Sequence, residues 1–162
     1  GNSDLKWRPA KAPTAVPLSS PLIGRLKRAV PGVVTGVKDS SGEWANTERL
    51  LADHADLHIL VGDERQLARA MRQGGSGAIN GFSNFCARTI LPMVERGEDV
   101  AGIAELVDLL LRYPVTPGVK ALVAHRFRDD AYLAVAPPLV PADPAARAAL
   151  AAAFDALPTR QR

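Results

Sequence analysis

The sequence has 162 residues, 47% of them hydrophobic, with 20 Lys and Arg against 17 Asp and Glu and a net charge of +3. This composition is typical of an ordinary globular domain, and the basic residues are scattered among acids rather than gathered in a stripe, which argues against nucleic-acid binding. No apolar run approaches the ~18 residues of a transmembrane helix, so a membrane protein is not expected. Cys86 is the only cysteine, which excludes an intramolecular disulfide and favours a reducing cytoplasm as the location.

Strands and helices alternate in the first part of the sequence. Strands are expected at residues 33–38, 57–61 and 77–81, where β-branched and apolar runs stop at polar or glycine-rich turns. Ser19 or Ser20 and Asp63 are expected to cap the first and third helices, and a second helix is expected to start near Glu43, where apolar residues follow at helical spacing. Strands separated by helical segments indicate βα units, and therefore a parallel sheet in an α/β fold.

The later part of the sequence predicts helices without intervening strands. They are expected at about residues 87–96, 99–112 and 118–127, with a last helix after Asp143-Pro144. The first of them should end at Gly97, because glycine favours the left-handed conformation at a helix C-terminus. A run of helices after the last strand indicates a helical extension appended to the sheet.

Lys38 stands at the C-terminal end of the first predicted strand, directly before a polar turn. A lysine buried there would lose its charge more readily, and its free amine could attack a carbonyl carbon. Because side chains alternate along a strand, Gly36 should share the face of Lys38 and leave space beneath the amine, whereas Asp39 should point toward the helices or the loop surface. The other interpretation is a lysine whose stem lies on the strand end while its ammonium stays in water.

Two weaker patterns compete with Lys38 for a functional role. The run Gly74 to Gly81 could cradle a phosphate, but it lacks the Lys-Ser/Thr ending of a P-loop, and a tight helix-to-strand turn is the favoured interpretation. His54 and His58 have the spacing of a metal pair on a helix, yet His58 falls inside a predicted strand. We therefore expect no metal ion at these histidines.

Three motifs, in this order, resemble the dihydrodipicolinate synthase and N-acetylneuraminate lyase family. The run Gly36-Val37-Lys38-Asp39-Ser40-Ser41-Gly42 is similar to the family's Schiff-base strand, and Val61-Gly62-Asp63-Glu64 is similar to its Gly-Asp step after the next strand. The run Gly74-Gly75-Ser76-Gly77-Ala78-Ile79-Asn80-Gly81, followed by Asn84, resembles the last barrel strand and its loop. The resemblance covers about residues 9–157, but only the second half of the family's pattern.

The resemblance implies a partial (β/α)8 TIM barrel, made of its last strands, with a C-terminal helical extension. Residues 1–13 would be an irregular N-terminal segment, residues 14–97 the second half of the barrel, and residues 98–162 the extension. The resemblance also implies a class I aldolase-type lyase, in which Lys38 forms a Schiff base with pyruvate or a related 2-oxo acid and no metal ion or organic cofactor is required. Gly77, Ile79 and Asn80 would form the substrate-binding wall, with the Ile79 backbone beside the substrate carboxylate.

Two groups that the family uses have no counterpart at the corresponding places. The catalytic tyrosine should precede Lys38 in a Tyr-Asn-x-Pro step, where this sequence reads Asp4-Leu5-Lys6-Trp7-Arg8-Pro9, and the carboxylate-binding threonine pair is not found. We therefore expect either a piece of a larger lyase or a non-catalytic half-barrel that acts as a structural or interaction module. The resemblance implies a homo-oligomer, and open strand edges, which invite pairing, would let a half-barrel pair with another copy or with the missing half of the barrel.

Overall fold

The computed structural model describes residues 18–158. The chain divides into two compact units, with the boundary between Ile79 and Asn80. The irregular segment expected at residues 1–13 lies outside the described residues. The sequence predicts a boundary after residue 97, between the barrel half and the helical extension. That boundary is defined by the barrel pattern and not by compact units, and it stays a prediction.

The first unit alternates helices and strands as the sequence predicts. Its elements are α1 (Ser20–Ala29), β1 (Gly36–Asp39), α2 (Trp44–Asp53), β2 (His58–Val61), α3 (Glu64–Arg72) and β3 (Gly77–Ala78). The three strands are parallel and lie in the order β1-β2-β3. This is the arrangement that successive βα units produce, and it confirms the expected α/β architecture.

Side-chain caps explain where two of the helices begin. The Ser19 hydroxyl accepts a hydrogen bond from the backbone N–H of Leu22, and Pro21 occupies the first turn of α1. The Asp63 carboxylate accepts the N–H of Arg65 at the start of α3. Both caps are those expected from the sequence, because capping depends only on residues a few positions apart.

The first strand begins later than the sequence predicts. It starts at Gly36 rather than Val33, because the N–H of Val33 donates to the carbonyl of Val30 in a turn that follows α1. The ladder with β2 then opens with the N–H of His58, which donates to the carbonyl of Thr35. The β-branched composition of residues 33–35 therefore does not outweigh the turn that ends the helix.

The two faces of the sheet differ in burial. Ile59 and Val61 of β2 are each 1% exposed, on the side where α2 and α3 contact this strand. Lys38 points to the opposite side, because alternate side chains leave a strand on opposite faces, and there it is exposed. The sequence predicts that the strand carrying Lys38 is buried. Within residues 18–158 this prediction is wrong for the face of β1 that carries Lys38.

The second unit is helical in its described part. It contains α4 (Ala87–Arg96), α5 (Ile103–Leu110), α6 (Val115–Phe127) and α7 (Pro144–Asp155), with short 3-10 helices at Phe82–Asn84 and Asp130–Leu133. Gly97, with φ of 62°, ends α4 as expected. The sequence predicts a helix over residues 99–112, but α5 is shorter because Gly102 adopts φ of 82°, a left-handed conformation that no regular helix continues through.

The core of the second unit lies between α5, α6 and α7. Leu106, Leu122 and Leu150 are each at most 1% exposed. Gly118 lets α6 approach its neighbours closely, since a Cβ atom there would overlap with the side chain of Leu110. Among residues 18–158, no helix has the length and apolar character needed to cross a membrane.

Candidate functional site

Lys38 lies in the same row of the sheet as residues of both other strands. It pairs with Leu60 of β2, and Leu60 pairs in turn with Gly77 of β3. Residues in one row of a parallel sheet point to the same face, so Lys38 and Gly77 share one face, on which Lys38 is exposed and Gly77 is buried. Ile79, two residues beyond Gly77, follows on this face with its side chain 54% exposed.

The end of the Lys38 side chain lies over Gly62, the residue that follows β2. A Cβ atom at Gly62 would stand 3.0 Å from Cε and 3.3 Å from Nζ of Lys38. It would also stand 2.9 Å from the carbonyl oxygen of Asp39, a separation that real Cβ atoms essentially never show. Glycine at this position therefore leaves the room that the amine occupies.

Gly36 does not have the role that the sequence predicts for it. A Cβ atom at Gly36 would lie 2.8 Å from the carbonyl oxygen of His58 and 3.1 Å from its Cβ atom. Gly36 thus permits close approach of β1 to β2, and the space beside the amine is provided by Gly62 instead.

Asp39 turns toward the helices, as strand alternation predicts. Only 7% of this residue is exposed. Its carboxylate accepts hydrogen bonds from the Ser41 backbone at 2.9 Å, from the Asn46 side chain at 3.2 Å and from the Thr47 hydroxyl at 2.6 Å. The Thr47 hydroxyl also lies 2.9 Å from Oε1 of Gln66 on α3. This network joins the turn after Lys38 to α2 and α3.

The glycine-rich run before β3 forms a turn, as favoured from the sequence. The N–H of Gly75 donates to the carbonyl of Ala70 near the end of α3, and the N–H of Ser76 donates to the carbonyl of Ile59. Gly74 and Gly77 have φ of 90° and 135°, which L side chains rarely adopt. At the far end of β3, the N–H of Ile79 donates to the carbonyl of Val61. The glycines therefore serve the change from helix to strand.

Asn80 belongs to the second unit and has a local role that the sequence did not reveal. Its side-chain oxygen accepts hydrogen bonds from the backbone N–H of Ser83 at 3.0 Å and from the Ser83 hydroxyl at 2.7 Å. This holds the turn into the first 3-10 helix. The Asn80 side-chain nitrogen is buried and has no hydrogen-bond acceptor among the described residues.

The two histidines at helical spacing lie in different surroundings. His54 is buried, and its Nε2 lies 3.0 Å from the hydroxyl of Ser20, which itself donates to Asp53 at 2.6 Å. His58 is exposed on the sheet, where its Nδ1 lies 3.3 Å from the hydroxyl of Ser76. His54 thus helps to join α1 to α2, a role that only the packing of the two helices reveals.

A protein-family model and two curated proteins are similar to this chain. The model of the dihydrodipicolinate synthetase family matches residues 10–157. An uncharacterized DapA-like lyase from Chloroflexus aurantiacus is 31% identical over 88% of this chain and 50% of its own length. A 4-hydroxy-tetrahydrodipicolinate synthase from Sorangium cellulosum is 34% identical over 91% of this chain and 52% of its own length.

A solved structure shows the same fold. The crystal structure of dihydrodipicolinate synthase from Agrobacterium tumefaciens is 53% identical and superimposes with a TM-score of 0.85, covering 89% of this chain and 50% of that one. This confirms the expected partial barrel. The chain spans about half the length of the curated relatives that it matches.

Proposed function

The chain belongs to the dihydrodipicolinate synthetase family, and from this premise we propose that it carries the Schiff-base half of a class I aldolase-type lyase. Lys38 is the nucleophile, and pyruvate or a related 2-oxo acid is the substrate. The observation that carries the proposal is the position of the Lys38 amine. It lies at the carboxyl end of a parallel strand, where the catalytic groups of barrel enzymes gather, and over a glycine that leaves it room.

The chemistry begins when the uncharged Lys38 amine attacks the ketone carbon of the 2-oxo acid. Uptake of one proton from solvent and loss of one water molecule leave a protonated imine between Nζ and that carbon. The imine draws electrons from the neighbouring carbon, so that removal of a proton there gives an enamine. The enamine carbon can then attack an aldehyde, and the reverse sequence cleaves the same carbon–carbon bond. Hydrolysis of the imine returns the free lysine.

The substrate carboxylate is placed beside β3 in this proposal. Gly77 and Ile79 share the face of Lys38, and Gly77 presents no side chain there. Backbone near Ile79 can therefore approach the carboxylate closely. Asn80 is assigned to the substrate-binding wall by the family resemblance alone.

Other parts of the reaction require groups from outside residues 18–158. A proton-transfer group equivalent to the family's tyrosine and a carboxylate-binding pair equivalent to its threonines are needed. The exposed face that carries Lys38 also has to be enclosed, because water competes with the substrate for the amine and the imine. Pairing with a further barrel half, or assembly with other copies, would supply this enclosure.

The alternative is a half-barrel without catalysis that acts as a structural or interaction module. The observation that favours it is the edge position of β1, which pairs on one side with β2 within the described sheet. Such an edge presents backbone donors and acceptors to another strand. Imine formation at Lys38 distinguishes the two proposals, because an interaction module has no need of a reactive amine.

The test is reductive trapping in a completed barrel. A chimera is made in which this chain replaces the matching half of the Agrobacterium tumefaciens protein, and it is incubated with pyruvate and borohydride. We expect the intact mass to show one reduced pyruvate per chain, a result that Lys38→Arg abolishes and the control Lys120→Arg does not. Labelling that survives in Lys38→Arg would refute the assignment.

A further inference from the structure

We propose that Asp39 is a positioning residue for Lys38, and that it acts through a buried hydrogen-bond network whose central donor is Thr47. This inference rests on the proposed function, since it assigns a purpose to the orientation of the reactive amine. Asp39 does not itself touch the substrate in this account. It fixes the end of β1 so that the preceding side chain lies over Gly62.

The first support is the number of groups that hold the Asp39 carboxylate. One oxygen accepts from the Ser41 backbone and the Asn46 side chain, and the other accepts from the Thr47 hydroxyl. Thr47 is fully buried, with 0% of its surface exposed. A buried carboxylate without such donors lacks hydrogen-bond partners, which is energetically costly. The Asp39 side chain is therefore held in the orientation that keeps these three donors.

The second support is the backbone of the same residue. The carbonyl of Asp39 accepts the N–H of Gly62 at 2.8 Å, which joins the ends of β1 and β2. Lys38 directly precedes this hydrogen bond and pairs with Leu60 in the ladder. Its backbone is therefore held on both sides, by the ladder before it and by Asp39 after it.

The consequence follows from the geometry of a strand. Successive side chains leave opposite faces, so a side chain of Asp39 fixed among α2 and α3 places Lys38 on the other face. The Cε and Nζ atoms of Lys38 then lie close to Gly62. Rotation of the strand end, or a shift of its register, would move the amine away from this position.

The test compares two substitutions of one residue. Thr47→Val removes the hydroxyl that donates to Asp39 but keeps a β-branched side chain, whereas Thr47→Ser keeps the hydroxyl. In NMR spectra of the full chain, the parent should show a nuclear Overhauser effect between the Lys38 Hε protons and the Gly62 Hα protons. We expect this signal to fall several-fold in Thr47→Val and in Asp39→Asn, and to be retained in Thr47→Ser.

A control separates positioning from general loss of stability. Ser20→Ala removes a buried hydroxyl from the contact between α1 and α2, in the same unit but away from Lys38. It should lower the melting temperature without changing the Lys38–Gly62 signal. An unchanged signal in both Thr47→Val and Asp39→Asn, or an equal loss in Ser20→Ala, would overturn the proposal.

The same variants, placed in the chimera, separate this inference from the proposed function. If the parent chimera traps no pyruvate while the Lys38–Gly62 signal still depends on the Thr47 hydroxyl, the lyase assignment fails and the positioning role stands. If the parent traps pyruvate, Thr47→Val should slow trapping at least tenfold and Thr47→Ser should restore it. Trapping in Thr47→Val at the parent's rate would count against Asp39 as a positioning residue.

Discussion

Replacement of Gly62 by alanine should disturb both the fold and the reactive lysine. The added Cβ atom would stand 2.9 Å from the Asp39 carbonyl oxygen and 3.0 Å from Cε of Lys38. Ordinary contact begins near 3.4 Å, so each of these atoms has to move by about half an ångström. The first contact is with backbone that is itself held in a hydrogen bond, and the strain therefore cannot be relieved by a side-chain rotation alone.

The expected cost of Gly62→Ala follows from this overlap. Overpacking of a well-packed site typically destabilises a protein by about 1–3 kcal/mol, which corresponds to a midpoint lower by roughly 1 M in urea when the slope is ~2 kcal/mol per M. Displacement of the amine should slow imine trapping more strongly, because a misplacement of ~1 Å can cost about 10²-fold in rate. Urea unfolding of the chain and trapping rates in the chimera measure the two effects separately.

Gly24 of α1 provides the matched control. A Cβ atom there would meet Arg28 at 3.6 Å and His54 at 3.8 Å, which are ordinary contacts. Gly24→Ala should be neutral or stabilise the chain by up to ~1 kcal/mol, since alanine is the better helix former, and trapping should be unchanged. If Gly62→Ala traps pyruvate as fast as Gly24→Ala, the placement of the amine over Gly62 is wrong.

Three further predictions concern a surface charge, a helix contact and completeness. Lys27→Met should raise the pKa of Asp56, because the hydrogen bond from Lys27 is the main cause that holds the pKa of this exposed carboxyl below its ordinary value. Since the folded pKa is lowered, the pair stabilises the fold above the ordinary carboxyl pKa, and this contribution is lost as the pH falls through the lowered pKa. An NMR titration in which the variant leaves the Asp56 pKa unchanged would contradict this prediction. Gly118→Ala should destabilise the chain by about 1–3 kcal/mol in urea unfolding, because the new Cβ atom overlaps with Leu110, and an unchanged midpoint would refute the close approach. The 162-residue chain alone should condense or cleave 2-oxo acids about 10²–10⁴-fold more slowly than the chimera, and equal turnover of the two would show that no essential group is missing.

The features that the sequence predicts well are those set by neighbouring residues. Ser19 and Asp63 cap their helices, and Gly97 ends α4, because each acts on backbone groups within a few positions. The direction of Asp39 also follows from local structure, since it depends only on alternation along β1. The order of the strands follows from the same pattern of alternating strands and helices.

The features that the sequence predicts poorly depend on residues distant in the chain. Gly36 faces His58 and Gly62 faces Lys38, and both contacts depend on the register between β1 and β2. Lys38 is exposed within the described residues, whereas the composition of its strand predicts burial, because burial depends on what packs against each face of the strand. The roles of His54 and Asn80 likewise require tertiary contacts that periodicity does not show.

The most direct test of the central claim is a crystal structure of the chimera after incubation with pyruvate and borohydride. We expect continuous density from Nζ of Lys38 to the former ketone carbon of pyruvate, with the adduct on the sheet face that carries Gly62 and Gly77. An unmodified Lys38, with the reduced pyruvate on Lys120 or another lysine, would show that Lys38 is not the nucleophile.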